Sequence, residues 1–521
     1  MRRFISYPLL FVTAIILDRV VISSAQIDID QSLRVLLFAF LFITTVISVI
    51  QYFTKDWHYT NFITLLMPVT FIVYRSSYGF LKVKFPHQAT FLGLVLLLLL
   101  VMLYVALVHR NVWRAVKNPA KVTQYFYLTF TLLLGFQVVR LLSDSSHALM
   151  NVNQPRTTAI AEPDLQIHLQ NPTSPDIYVI VLDGYARQDV LRDIYGLDNS
   201  EFIDWLEQRG FYIANNSHSN YTQTVYSMAS FWNFEYLQSW DSSNDYARYL
   251  FQPIQDNRVF HSLDEIGYTT VSTEGTTSFT QIRNADVFLS DFLPLNKFET
   301  LLLVDSPLEP LSNIFDLGLP LQTYQIHRQR LLYQFEMLKE IPTSILGAKI
   351  VYTHLLAPHP PFVFDRNGAP RDPQVSFTLM EGSSFTGGQD EYWDGYREQV
   401  EFVNREIVKS IDAILAKSET PPIIVLMGDH GPASMFNWDP ETPGCLCERT
   451  RNFYAILLPG HQNDGAVYSS ITPVNTFRVI FNTYFGTELP LLKDNTYMMY
   501  PTLEVDVTNI RDSKTGCGTP D

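Results

Sequence analysis

Cysteine is nearly absent from this chain: three occur in 521 residues, at positions 445, 447 and 517. No cysteine-rich metal cluster can therefore form in the first 444 residues. An exported location would allow one disulfide, and the sequence does not choose the pair. Positive charge is also short, with 37 Lys and Arg against 52 Asp and Glu and a formal net charge of −15. A nucleic-acid binder carries a basic footprint, so that class is set aside. Internal repeats and low-complexity tracts are missing as well.

Long apolar runs are present, and they are confined to the first part of the chain. Five candidate spans run over 5–24, 33–53, 61–78, 90–109 and 122–142. The strongest is FLGLVLLLLLVMLYVALV (91–108), an uncharged run of bilayer-spanning length. The first is the weakest, because Asp18 and Arg19 must sit near its outer end or find partners. On one side the short loops hold Arg2, Arg3, Lys55, Arg110, Arg114, Lys117 and Lys121; on the other they hold Arg19, Arg34, Arg75, Lys82 and Lys84. The bias favours a cytoplasmic N-terminus, and five crossings would then place everything after residue 142 outside the cytoplasm. The expected organisation is a transmembrane helical domain (1–145), a polar proline-containing linker (146–174) and a water-soluble domain (175–521).

In that last region strand and helix patterns alternate. DIYVIVLDG (176–184), GYTTVST (267–273), AKIVYTHLLAPH (348–359), PPIIVLMGDH (421–430) and RNFYAILLPG (451–460) read as strands. NSEFIDWLEQRG (199–210), YREQVEFVNREIVKSIDAIL (396–415) and TPVNTFRVIFNTYFG (472–486) read as helices. Strands separated by helices predict an α/β fold with a doubly wound, largely parallel sheet.

In such sheets, sites gather beyond the carboxyl ends of the strands. Two strands end in residues able to hold a metal: Asp183 closes YVIVLD, and Asp429 with His430 closes IIVLMGDH, with Ser434 a few residues on. Two carboxylates and an imidazole suit Mn²⁺, Mg²⁺ or Zn²⁺ and leave positions open for a substrate oxygen. A nucleophile is offered by SNYTQTVYSMASFWN (219–233), where Thr222, Thr224, Ser227 and Ser230 are all candidates. A hydroxyl at a helix N-terminus beside a divalent cation has its pKa lowered. His354 reads as packing within its strand.

IYVIVLDGYAR, NYTQTVYSMAS, HLLAPHPPFVF and VLMGDHGP, in that order, resemble the sulfatase-like branch of the alkaline phosphatase superfamily. With the preceding spans, the layout is similar to lipoteichoic acid synthases and other membrane-bound phosphoglycerol or phosphoethanolamine transferases. The resemblance covers about residues 175–500. It implies one divalent cation (Mn²⁺, Mg²⁺ or Zn²⁺) held by Asp183, Thr224, Asp429 and His430, with Thr224 as nucleophile, Thr222 second to it, and His359 as the substrate-contacting histidine. Two departures matter. Sulfatases convert a Cys or Ser within C/S-x-P-x-R, and Thr224 lies in no such motif. The further Asp and two His of a two-metal phosphatase cannot be placed beyond His359, so one metal is expected. The implied activity is a membrane-anchored phosphotransferase or hydrolase acting on phosphate esters of lipid headgroups or envelope glycans. A sulfuric ester hydrolase and a catalytically silent envelope scaffold are the rivals.

Overall fold

The structure is a computed structural model. It describes the chain apart from residues 1–5, 23–28, 86–87, 154–166, 168–174, 240–251, 291–298, 300–302, 304–305, 316–322, 372–378, 386, 440–441, 462–464, 501–502 and 518–521. Contacts divide it into two compact units. The first comprises Met1–Thr158 with Leu293–Thr323 and Gln374–Ser376; the second comprises Ala159–Phe292, Tyr324–Pro373 and Phe377–Asp521.

The first unit is helical. Among the described residues, Ser32–Thr54, Ala89–Leu107 and Pro119–Arg140 are long and apolar enough to cross a membrane. The other two expected spans are also helices, Tyr7–Ile22 of 16 residues and Trp57–Lys84, which carries Pro68 inside it. On Ala89–Leu107, Leu98, Leu99, Met102, Leu103 and Val105 each expose more than half their surface. An apolar face of that size is poorly suited to water and matches a hydrocarbon layer. Gly93 lets this helix approach Trp57–Lys84, since a Cβ there would stand 2.4 Å from the Tyr78 ring. Asp18 is partnered by Gln137 Nε2 at 3.0 Å and Arg140 Nη1 at 3.1 Å, so its charge is met from the helix Pro119–Asn153. That helix runs into the range expected to be linker, and most of 154–174 lies outside the described residues.

The second unit is built on a seven-stranded sheet. Its strands are β1 (Ile177–Leu182), β2 (Tyr212–Ile213), β3 (Thr269–Thr273), β4 (Val287–Leu289), β5 (Lys349–Leu355), β6 (Ile423–Met427) and β7 (Tyr454–Leu457), in the order β2-β7-β6-β1-β5-β3-β4. β1 lies between β5 and β6, parallel to both; β3 pairs parallel with β5 and β4, while β7 pairs antiparallel with β6 and β2. The sheet is thus largely parallel, as the alternation of strands and helices predicts. β7 reverses because, among the described residues of 428–453, which join it to β6, the helix is the five-residue Leu446–Thr450, too short for a crossover. A separate hairpin, β8 (Tyr497–Tyr500) and β9 (Leu503–Asp506), lies near the C-terminus.

Both faces of the sheet are covered, which explains the unbroken apolar strands. From β1, Tyr178, Ile180 and Leu182 pack on one side with Val400, Val403, Ile407 and Ile411 of the helix Gln389–Lys417. Ile177, Val179 and Val181 pack on the other with Met228 and Trp232 of the helix Thr224–Asn233 and with Phe477 and Ile480 of Thr476–Tyr484. Each such fully buried side chain contributes about 1.5–3 kcal/mol of transfer free energy. This core fixes the strand ends on which the functional residues stand.

Candidate active site

Three neighbouring strands, β6, β1 and β5, deliver their carboxyl ends to one rim. Asp183 follows β1, Asp429 and His430 follow β6, and His354 lies near the end of β5. Asp183, Asp429 and His430 are all buried, and each offers a ligand atom within 4.8 Å of the other two. Asp429 Oδ1 accepts from the backbone N–H of Gly184 and of His430, both at 3.1 Å. The remaining oxygens, Asp183 Oδ1 and Asp429 Oδ2, are buried and accept no hydrogen bond among the described residues. A buried carboxylate oxygen without a donor is costly. Two of them converging beside an imidazole nitrogen fit a divalent cation.

The imidazole is set up for the same purpose. His430 Nδ1 donates to the Gly431 carbonyl at 3.0 Å, which leaves the Nε2 lone pair facing the two carboxylates. A metal-binding histidine usually donates its other N–H in this way, which fixes tautomer and ring plane. Burial first, and then the nearby Arg449 guanidinium, lower its pKa to about 4, so the ring is neutral above that pH. The glycines flanking the pair answer to close backbone approach. A Cβ on Gly428 would stand 2.4 Å from the Tyr185 carbonyl, and one on Gly431 would stand 2.0 Å from the Glu448 carbonyl.

Thr224 is the first residue of its helix, and its Oγ1 lies 3.0 Å from His430 Nε2. It is partly exposed while the carboxylates and imidazole beside it are buried. The preceding Gln223 makes no side-chain cap, so the helix N-terminus keeps uncapped N–H groups next to this hydroxyl. The other hydroxyls are differently engaged. Ser227 donates to the carbonyls of Tyr221 and Asp429, tying the helix to the end of β6, and Ser230 donates to the Glu235 carbonyl. Thr222 is buried, and its carbonyl accepts from Arg449 Nε at 2.7 Å. Ser434 belongs to a separate network, donating to Glu448 while accepting from Trp393 Nε1 at 2.9 Å.

His359 sits in the loop after β5. Its backbone N–H donates to the Asp183 carbonyl, and its own carbonyl accepts from Gln399. Three residues earlier on the same helix, Tyr396 hydroxyl bridges Gly184 and Ala186, so one helix holds both loops in register. His359 Nε2 lies 3.4 Å from Glu381 Oε2. Burial by itself disfavours the imidazolium, but the charges of Glu381 and Asp183 outweigh it and lift the pKa to about 9.

Three participants were not singled out from sequence. His354 does more than pack within its strand: its Nε2 donates to Asp183 Oδ2 at 3.1 Å, while Nδ1 accepts from the Tyr352 hydroxyl at 3.0 Å. It orients the carboxylate from behind. Glu381 and Arg449 form a buried ion pair, with Nη2 to Oε1 at 2.6 Å. Burial would raise the Glu381 pKa, yet Arg449 and His359 hold it well below the usual carboxylate range. Glu381 lies in an irregular loop and carries no motif. Arg449, buried at 1% exposure, offered one signal: a cation within the short helix Leu446–Thr450, which begins next to Cys445. Cys445 is paired with Cys517, settling the disulfide left open above, and Cys447 is a buried free thiol.

No protein-family model matches the chain, and no curated protein does. Solved structures do. The C-terminal periplasmic domain of EptC from Escherichia coli, in complex with zinc, is 10% identical with a TM-score of 0.46, covering 68% of this chain and 99% of that one. The integral membrane lipooligosaccharide phosphoethanolamine transferase EptA from Neisseria meningitidis is 12% identical at 0.41, covering 75% of this chain and 68% of that one. The phosphonate monoester hydrolase of Agrobacterium radiobacter is 13% identical at 0.40, covering 62% and 80%. At these identities and scores the likeness carries no residue role, metal or substrate across.

Proposed function

We propose that the protein is a membrane-anchored, metal-dependent phosphotransferase or hydrolase acting on phosphate esters of lipid headgroups or envelope glycans, with Thr224 as nucleophile. The observation that carries this reading is the approach of Thr224 Oγ1 to 3.0 Å from His430 Nε2, beside two buried carboxylate oxygens that accept no hydrogen bond among the described residues. Asp183, Asp429, His430 and Thr224 would hold one divalent cation, Zn²⁺, Mn²⁺ or Mg²⁺. Such a cation, when bound, lowers the pKa of a hydroxyl and neutralises charge on a phosphoryl oxygen.

The chain's own groups do the rest. Thr224, as the alkoxide left when its hydroxyl proton passes to solvent, attacks phosphorus from the N-terminus of its helix, where the dipole favours that negative charge. His359, protonated up to about pH 9, gives its proton to the departing oxygen. The neutral imidazole then takes a proton from the acceptor, an alcohol or water, which resolves the phospho-threonine. His354 and Gly184 hold the carboxylates in place throughout. Phosphate is favoured over sulfate because no C/S-x-P-x-R motif supplies a formylglycine. The five apolar N-terminal spans are read as crossings of the cell membrane, and the second unit as extracytoplasmic.

The test is Thr224→Ala in the purified full-length protein with a phosphodiester reporter. Loss of turnover by about 10⁴-fold or more, with unchanged thermal unfolding, is expected. Wild-type-like turnover would refute the assignment. A phosphorylated Thr224 peptide, trapped and found by mass spectrometry, identifies the intermediate. Product analysis with and without an alcohol acceptor separates transferase from hydrolase.

A further inference from the structure

The scheme above leaves the cysteines unused. The chain has three in 521 residues, and all of them meet at one point, around the start of the helix Leu446–Thr450. Cys445 is joined to Cys517, and Cys447 is a free thiol with 1% of its surface exposed. Its Sγ lies 3.4 Å from Cys517 Sγ and 3.6 Å from Cys445 Sγ. An odd cysteine in an exported chain pairs with another molecule or stays reactive. This one lies against the disulfide of its own chain.

We propose that the three sulfurs form a thiol–disulfide exchange centre. Cys447 attacks Cys517, the disulfide alternates between Cys445–Cys517 and Cys447–Cys517, and the exchange resets the helix that braces the rim. The proposal is independent of the reaction the rim performs.

The chemistry balances within the chain. The Cys447 thiol gives its proton to solvent, and the thiolate forms a bond to Cys517 Sγ as the bond from Cys517 to Cys445 breaks. Cys445 leaves with the electron pair and takes up a proton. One disulfide and one thiol are present before and after, so no oxidant or reductant is consumed. Displacement needs the attacking sulfur in line with the bond that breaks, and Cys447 starts beside that bond, nearly equidistant from its two ends. Its side chain has space to turn, because Cys447 and Cys517 line a surface cavity of about 70 Å³ together with Arg451 and Lys514. Burial pushes the Cys447 thiol up; Arg451 and Lys514 draw it down, while Glu448 and Asp189 add to the rise. The thiolate is therefore a small fraction at neutral pH, and exchange is slow rather than blocked.

Chain entropy does not choose between the two linkages. Their sequence separations are 72 and 70, and the cost of closing a loop grows only with the logarithm of its length. What changes is the point of attachment. Cys517 now holds Cys445, the residue that precedes the helix; after exchange it holds Cys447, the helix's second residue. The tether moves two residues along, about 3 Å of helical rise. That helix touches the rim directly. Arg449 Nη1 donates to the Gly431 carbonyl at 2.9 Å, and Gly431 N–H donates to the Arg449 carbonyl at 2.7 Å. Glu448 accepts from the backbone N–H groups of Ser434 and Met435, both at 3.0 Å. A shift of the helix is thus felt at Gly431, next to His430.

The experiment uses purified full-length protein with no added thiol, held at about pH 8 and about 25 °C overnight and then quenched in acid, where thiolates vanish and exchange stops. Peptic cleavage after Leu446 separates Cys445 from Cys447, so mass spectrometry reads each linkage to Cys517. With nearly equal loop entropies, Cys447–Cys517 is expected to make up at least about one part in a hundred of the linked peptide. A smaller share overturns the proposal. This map needs no variant to fold. Cys445→Ser and Cys447→Ser then lock one linkage each. Cys445→Ser is expected to form Cys447–Cys517 in air, and a variant that stays fully reduced overturns the proposal. Hydrogen exchange of the peptide containing Gly431 is expected to be about tenfold faster in Cys445→Ser than in Cys447→Ser. Equal protection in the two variants overturns the resetting of the helix.

Discussion

Gly431→Ala is the most direct perturbation of the rim, because its added methyl touches no ligand and still disturbs the backbone that positions His430. The new Cβ would stand 2.0 Å from the Glu448 carbonyl oxygen and 3.1 Å from that of Arg449. Carbon and oxygen do not approach closer than about 3 Å, so one backbone segment must move by about 1 Å. Neither can do so freely. Gly431 N–H donates to the Arg449 carbonyl at 2.7 Å, and the Gly431 carbonyl accepts from His430 Nδ1 at 3.0 Å and Arg449 Nη1 at 2.9 Å. Overpacking of this kind costs about 1–3 kcal/mol. Loss of the hydrogen bond behind a metal-binding histidine lowers metal affinity by about 10- to 100-fold. Chelator-competition titration of zinc and equilibrium denaturation of the full-length protein read the two effects. Gly388→Ala, where a Cβ meets nothing within 4 Å, is the control and is expected to match wild type in zinc affinity. Zinc affinity in Gly431→Ala within about twofold of wild type would sink the argument that backbone closeness positions His430.

Two further outcomes follow from the charges and the disulfide. His359 has its pKa raised from 6.5 to about 9, so its protonated form stabilises the fold below pH 6.5 and that contribution is lost as pH rises through 9. Turnover is expected to fall about tenfold per pH unit above pH 9, and Glu381→Gln should move this limb to lower pH; an alkaline limb that stays put in that variant would remove His359 as the proton donor. Cys445–Cys517 closes a loop with a sequence separation of 72 and brackets the helix that carries Arg449. Its reduction is expected to lower stability by about 4 kcal/mol in the chain-entropy account, seen as an earlier thermal transition with a reductant. Cys447→Ser, which leaves the disulfide intact, should keep the oxidised transition; equal unfolding of wild type with and without reductant would contradict the account.

Local chemistry already marks much of this molecule. The apolar runs, the buried strand IYVIVL and the 3–4 spacing of Tyr396, Val400, Val403 and Ile407 all follow from burial requirements written residue by residue. So does the meeting of Asp183 with Asp429 and His430, because parallel strands must bring their carboxyl ends to one rim. Other features have no local trace. Which hydroxyl among 222, 224, 227 and 230 meets the imidazole depends on where helix Thr224–Asn233 seats on the sheet. The reversal of β7, and the return of Leu293–Thr323 to the first unit, depend on long-range packing. His354 serves the site through Asp183, 171 residues away in the chain, and Glu381 is held by Arg449, which lies on a different element far along the chain. A lone buried histidine, glutamate or arginine looks alike in any sequence; only folding shows which charge it answers.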